Sequence, residues 1–487
     1  MDDDAPLAEA LIAYLEKARR PFHMPGHKQG AGIPPVLARL WGREIFRYDL
    51  TELPGLDDLH APREAIQRAQ EASARCFGAE RTWFLVNGST VGIQAAIMAA
   101  AGEGDAVLVP RQAHRSVLGG LILSGARPVY RRVTLEPRFG IPLASRVEDV
   151  EDQLSEESRV RAVVEVHPNY YGVAGEISGL ARLCSEKGIP LLVDEAHGAH
   201  FQFDPRLPGP ALSQGADVSV QSWHKTLTAL TQTAVLHLRG GRVDRERISR
   251  CLSVLQTTSP SYPLLLSLDA ARQQMETGGE AVWSRVLELS EWTRHRVKRI
   301  PGLDCLGDEI MDAPAVGGWD PTKLLVGVTG LGLSGFEAAG WLREMRGIEP
   351  ELADPRNVLF MLTPGDDRGS AEYLVESLES MAREHRPADG SGNWGGEGHE
   401  RIFDLLPEVV LTPREAFNRE HRAVPLKNAV GEVCAETISP YPPGVPLLAP
   451  GEVITREAVE VITELKSRGT AWQGWSDQGH DRVLCVV

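Results

Sequence analysis

The stretch Ile189–Phe201, IPLLVDEAHGAHF, decides how the chain is read. An apolar run ends in two acids, Asp194 and Glu195, and two histidines, His197 and His200, follow. A short apolar run closed by polar residues reads as a buried strand delivering side chains to the rim of a sheet. Similar runs recur from Arg81 to Gly240: TWFLV, DAVLVP, RPVYRRV, VRAVVEVH, DVSVQS and TAVLHL. Alternating with helical stretches, these seven runs predict an α/β fold with a mostly parallel, seven-stranded sheet covered on both faces. In such sheets ligands bind beyond the carboxyl ends of the strands. The residues to weigh are therefore NGST at 87–90, RQAHRS at 111–116, HPNYYG at 167–172, DEAH at 194–197 and SWHK at 222–225.

The letters DEAH also mark the magnesium site of helicase-type ATPases. Those enzymes need a G-x-x-x-x-G-K-[ST] loop to hold the triphosphate. The dipeptide Gly-Lys occurs nowhere in this chain. The 51 Lys and Arg are outnumbered by 67 Asp and Glu, a formal charge of −16, which opposes nucleic-acid binding. No metal is expected either, because Pro25 and Gly26 prevent a helix that would pair His23 with His27, and His197 and His200 lack further ligands at zinc spacing.

A second chemistry fits the strand ends. A pyridoxal phosphate enzyme needs a lysine to hold the aldehyde, a carboxylate at the pyridine nitrogen, donors for the phosphate and a group against the ring. Asp194, closing its strand, suits the ring nitrogen, although a helix cap would use an aspartate in the same way. Lys225 follows DVSVQS by three residues, among Ser222, His224, Thr226 and Thr228, and desolvation there would favour a nucleophilic amine. Ser89 and Thr90 open the helical VGIQAAIMAA, where hydroxyls and free amides make an anion site. His114 is placed to stack on a ring.

Taken in order, FHMPGHKQG, GLDDLHAP, VNGST, RQAHRS, HPNYYGV, VDEAHGAH, SWHKTLTALTQ, TTSPSYPLLLSLD and YPPGVPLLAPGE resemble the Orn/Lys/Arg decarboxylase family, in its short form similar to bacterial biosynthetic arginine decarboxylases. The resemblance implies the aspartate-aminotransferase-like (type I) pyridoxal phosphate fold, with a smaller αβ domain and a C-terminal α+β module. It implies Lys225 as the Schiff-base lysine, Asp194 at the pyridine nitrogen, His114 on the ring, and Ser89, Thr90, Ser222 and His224 at the phosphate. Ala196 belongs to the same cofactor-contacting set. Ser259 and Ser261 would serve the neighbouring subunit of a homodimer. Trp223, between Ser222 and His224, says nothing about substrate. Large members of the family carry an N-terminal wing domain; this chain begins almost directly at the arm, so decamers are not implied.

The expected reaction is decarboxylation of a basic amino acid, with arginine first and lysine or ornithine as alternatives. Lys225 or His224 would return the proton to Cα. A decarboxylase should not grip the departing carboxylate with a bidentate arginine, whereas an aminotransferase does. An aminotransferase, an aldolase or a non-catalytic protein on the same fold are the competing readings. Asp57, Asp58 and Glu436 are candidates to bind the basic side chain.

The expected divisions are an arm at 1–55, a large domain at 56–275, a small domain at 276–385, a linker at 386–399 and a C-terminal domain at 400–487. No run approaches the roughly 18 apolar residues of a membrane span. The acidic start MDDDAPLAEA lacks signal-peptide character. Cys76, Cys184, Cys251, Cys305, Cys434 and Cys485 are too scattered for a disulfide scaffold. A cytoplasmic protein with reduced cysteines is expected, binding neither membrane nor nucleic acid.

Overall fold

A computed structural model describes residues 5–385, 401–403, 405–441 and 444–487. The expected linker at 386–399 lies outside the described residues. All seven sequence runs form strands: β1 Arg81–Leu85, β2 Ala106–Pro110, β3 Arg127–Arg131, β4 Val160–Val166, β5 Leu191–Asp194, β6 Val218–Gln221 and β7 Ala234–Leu238. They make one sheet in the order β1-β7-β6-β5-β4-β2-β3. The neighbours from β6 to β3 are parallel, and β7 alone runs antiparallel to both its partners, β1 and β6.

Strands covered on both faces need apolar residues at every position rather than alternate ones. In β2 all five residues are buried: Val107 and Val109 pack on one face, Ala106 and Leu108 on the other. The first face is closed by helices α1 (Gly88–Ala100) and α2 (Arg115–Ser124), the second by α3 (Ile177–Glu186).

The boundary expected at residue 275 falls inside one 36-residue helix, α4 (Tyr262–Val297). Gly278 and Gly279 do not break it. Gly279 lets the helix approach Phe203, whose ring carbon would lie 2.8 Å from an added Cβ. Leu265, Leu268 and Met275 of α4 pack into the large domain and Val297 into the small one, so a single rod carries both.

The small domain has four antiparallel strands, β8 (Asp304–Cys305), β9 (Lys323–Gly327), β10 (Leu352–Ala353) and β11 (Asn357–Met361), in the order β8-β9-β11-β10. Helices α5 (Gly335–Arg346) and α6 (Arg368–Glu384) complete its core. In the C-terminal module β12 (His421–Pro425) pairs with β15 (Arg482–Val486), and β13 (Ser439–Tyr441) with β14 (Ala471–Gln473). Helix α7 (Arg456–Ser467) buries Val461, Ile462 and Leu465 beside them. Cys76 is half-buried, the other five cysteines are buried, and all six are free. No helix among the described residues is long and apolar enough to cross a membrane.

A buried ion pair fastens this module to the large domain. Both side chains of Arg111 and Glu452 are 1% exposed, and the guanidinium forks onto the carboxylate while Nη2 also donates to Leu447 O at 2.7 Å. The guanidinium lies 4.7 Å from the centre of the Tyr130 ring. Removing one member of such a pair strands a buried charge. Glu452→Ala is therefore expected to cost about 3–5 kcal/mol in denaturant unfolding; a loss within about 0.5 kcal/mol, as for an ordinary surface change, would contradict the clasp.

Candidate active site

Asp194 ends β5 and pairs in register with Val166 of β4 and Val220 of β6. The residue after it, Glu195, is fully buried and knits the rim together. Its carboxylate accepts from Ser219 Oγ, from Gln221 Nε2 at 2.9 Å and from Ala211 N at 2.8 Å. Burial pushes its carboxyl up to about 7 against those three donors.

Lys225 sits on the helical turn Trp223–Thr226 that follows β6. Trp223 anchors the turn: its indole is fully buried, stacked 4.9 Å from the Phe77 ring, and its Nε1 donates to Gln221 Oε1 at 3.0 Å. It is a core residue, in keeping with its silence about substrate. Lys225 Nζ lies 3.0 Å from His197 Nε2. Burial lowers the pKa of the Lys225 ammonium, while the charges of Asp194 and Glu351 oppose that shift.

These side chains share a cavity of about 170 Å³, lined by Ser89, His114, Asp194, Ala196 and Lys225 among others. Ser89 is in the first turn of α1, whose preceding Asn87 makes no side-chain cap, leaving the amides of that turn free of one. His114 caps α2, accepting from Ser116 N at 3.2 Å through Nδ1. Burial lowers its pKa, helped by the charges of Lys225 and Arg115 and opposed by Asp194.

Other expected residues stand apart from that lining. Ser222 Oγ is buried without a hydrogen-bond partner, and so is Thr226 Oγ1. His224 turns Nδ1 to Thr233 O at 2.7 Å, and burial lowers its pKa. Thr90 and Ser259 are exposed, and Ser261 precedes α4; none of the three lines the cavity.

The three carboxylates expected to bind a basic side chain have other work. Asp57, at φ 74°, accepts from the amides of Asp58, Arg63, Glu64, Ile66 and Gln67 and so organises the start of the helix Ala65–Cys76. Asp58 closes a turn onto His60 N at 2.7 Å. Glu436 takes Ser476 N and Leu484 N, each at 2.7 Å. All three are satisfied by backbone, and none lines the cavity of its own chain.

Several groups to which the sequence assigns no role there also stand at the site. His197 was weighed only as a metal ligand, yet it stands beside Lys225. Tyr170, Asn169 and Gln112 line the cavity from neighbouring strand ends, and Tyr441, Gly444, Val445 and Gln473 reach it from the C-terminal module. Among the described residues no His/Cys/Asp/Glu cluster suits a metal.

The donor set fits pyridoxal phosphate: a desolvated amine, a strand-end carboxylate and an uncapped helix start line one cavity, and the orphaned Ser222 hydroxyl lies at the end of β6, three residues before that amine. Residues 5–370 match the Orn/Lys/Arg decarboxylase major domain, and residues 397–475 match the C-terminal domain of the same family. The chain is 38% identical over 477 residues to an arginine decarboxylase of Bacillus subtilis, covering 97% of this chain and 96% of that one. It is 37% identical to an arginine decarboxylase of Halalkalibacterium halodurans, over 100% and 98% of the two chains. Among solved structures, the lysine decarboxylase LdcF of Francisella novicida superimposes with a TM-score of 0.85 at 21% identity, covering 100% of this chain and 82% of that one. The architecture is the type I fold of pyridoxal phosphate enzymes. Fold, cofactor chemistry and near-complete sequence match agree, and the chain belongs to the Orn/Lys/Arg decarboxylase family of pyridoxal phosphate enzymes.

Proposed function

We propose that the protein decarboxylates L-arginine, releasing CO₂ and agmatine, as a cytoplasmic homodimer supplying polyamine synthesis. The observation that carries the choice of arginine is the 38% identity, along almost the whole of both chains, to a protein of that name. The cavity agrees with loss of a carboxylate: among its described lining residues there is no arginine to grip one. A group that held the ground-state carboxylate tightly would stabilise what must leave. This favours decarboxylation over transamination.

In this reading Lys225 would hold the cofactor and Asp194 would serve its ring nitrogen. His114 and Ala196 would hold the ring, while Ser89, Thr90, Ser222 and the start of α1 would hold the phosphate, with His224 beside them. Bound pyridoxal phosphate supplies the electron sink for the bond that breaks as CO₂ departs. Asp194 keeps that sink charged. Lys225 Nζ would return a proton to the substrate Cα, with His224 as the alternative if its ring is protonated, because its Nδ1–H is already given to Thr233 O. The side of the cavity lined by Tyr441, Gly444, Val445 and Gln473, held by the Arg111–Glu452 clasp, excludes water.

The homodimer is supported by the arm, where Phe22 is 94%, Leu40 67%, Trp41 62% and Met24 61% exposed. Large apolar side chains clustered on one surface segment favour a protein partner. In the dimer Ser259 and Ser261 would face the partner's cofactor. The free, buried cysteines suit a reducing compartment.

Offered arginine, lysine and ornithine separately with pyridoxal phosphate, the purified protein is expected to release CO₂ and agmatine from arginine. Cadaverine or putrescine as the main amine would replace the substrate, and a keto acid without CO₂ would overturn the reaction. Asp194→Ala is expected to lower kcat about 100-fold or more, as losing a charge-stabilising partner at a reaction centre does. Unaltered turnover in that variant would show that another group faces the ring nitrogen.

A further inference from the structure

The C-terminal module sets two cysteines face to face. Cys434 and Cys485 are antiparallel bridge partners, Cys485 within β15 and Cys434 on the segment beside it. The surrounding hydrogen bonds fix the kind of pair. Ala435 N donates to Leu484 O and Val486 N to Val433 O, each at 2.9 Å, so the bonds flank the two cysteines rather than join them. In such a non-hydrogen-bonded pair the side chains share a face and the Cα atoms stand about 4.5 Å apart. A disulfide spans a Cα separation of roughly 4.4–6.8 Å, so the backbone already meets its requirement.

The sulfurs are aimed alike. The Cys434 thiol donates to Glu436 O at 3.1 Å, and the Cys485 sulfur lies 3.8 Å from Val483 O. Glu436 and Val483 are each two residues along in the same register, so both thiols lean the same way, and they share one apolar cluster. The other cysteines are dispersed: Cys76, Cys184, Cys251 and Cys305 belong to or border four different clusters.

The closed module shields both thiols, which are fully buried. Burial pushes the Cys485 thiol up to about 11, with Glu432 and Glu436 adding to the rise and Arg422 opposing it, and burial raises Cys434 further. Access is through β15. Arg482 is exposed, Leu484 and Val486 are half-buried, and the strand is held only by β12 on one side and by residues 433–435 on the other. A strand with so few partners opens locally before the whole molecule does.

We propose that Cys434 and Cys485 form a redox site, joined into a reversible cross-strand disulfide by a low-molecular-weight disulfide such as oxidised glutathione. The Cys485 thiolate, uncovered when β15 opens, attacks one sulfur of the oxidant and releases a first thiol. Cys434 then attacks the Cys485 sulfur and releases the second, and each leaving thiolate takes up a proton given up by a cysteine. The protein loses two electrons, the oxidant gains them, and excess thiol reverses the exchange. In reducing compartments bonds of this kind are transient and redox-sensing rather than structural. The bond would bar β15 from opening and so hold the module behind the cavity wall. Glu436, two residues after Cys434, takes Ser476 N and Leu484 N, and Ser476 lies three residues past Gln473 of that wall.

The test treats the full-length folded protein with oxidised glutathione and maps its disulfides by proteolysis and mass spectrometry without reductant. A linked pair of peptides containing Cys434 and Cys485 is expected, two hydrogens lighter than the separate peptides and parted by dithiothreitol. Glutathione left on Cys434 or Cys485 singly, a bond from either to another cysteine, or both thiols still free after the β15 amides have exchanged their hydrogens overturns the proposal. Hydrogen exchange at β15 is expected to be about tenfold slower or more after oxidation, because the cross-link removes conformational freedom from the open state. In Cys485→Ala the exchange rate should not respond to the oxidant. Equal slowing in that variant, or none in the wild type, overturns the lock. Should the variant not fold, the wild-type peptide map decides by itself.

Discussion

The parallel register of β5 and β6 is the constraint on which the site depends. Asp194 lies opposite Val220, and the turn carrying Lys225 leaves β6 two residues beyond. Glu195 holds this register from within by taking donors from Ser219 and Gln221 of β6 and from Ala211. Each lone pair it fills offsets part of the cost of enclosing a carboxylate. Trp223, stacked on Phe77, fixes the other side of the same turn. The rim is rigid because core residues alternate with functional ones: Glu195 and Trp223 face inward, Asp194 and Lys225 face the cavity.

A second constraint is the enclosure of charge between domains. Lys323 comes from the small domain, Arg111 from the large one and Glu452 from the C-terminal module, and each is buried where units meet. Buried charges are expensive unless paired in good geometry, so they favour one arrangement of the three units over looser ones. The continuous helix α4 adds a mechanical link between the large and small domains. The cavity, lined by both the large domain and the C-terminal module, inherits its shape from this docking.

Much of this was legible in the sequence because the central strands are buried on both faces and read as unbroken apolar runs bounded by polar turns. The positions of Asp194, Lys225, Ser89 and His114 at strand or helix ends followed from that reading. The amides that Asp57, Asp58 and Glu436 collect were not legible, because an acid in a polar loop looks alike whether it awaits a cation or collects amides. Five amides converge on Asp57 alone, a fact of local backbone geometry that residue types do not express. Lys323 was silent for the opposite reason: a lysine heading an apolar strand reads as a solvated end, and its burial appears only once the small domain is docked. The division expected at residue 275 falls within α4, whose continuity past Gly279 shows only in the structure, where Phe203 fills the space beside that residue.

Two lysines, Lys225 and Lys323, flank His197 within hydrogen-bond reach, and the account requires that only the first carries the cofactor. The most direct measurement is reduction of the cofactor-loaded protein with borohydride, followed by proteolysis and mass-spectrometric location of the modified lysine. The pyridoxyl group is expected on the peptide containing Lys225 and on no other. Its appearance on Lys323, or on any lysine away from the β6 turn, would contradict the account.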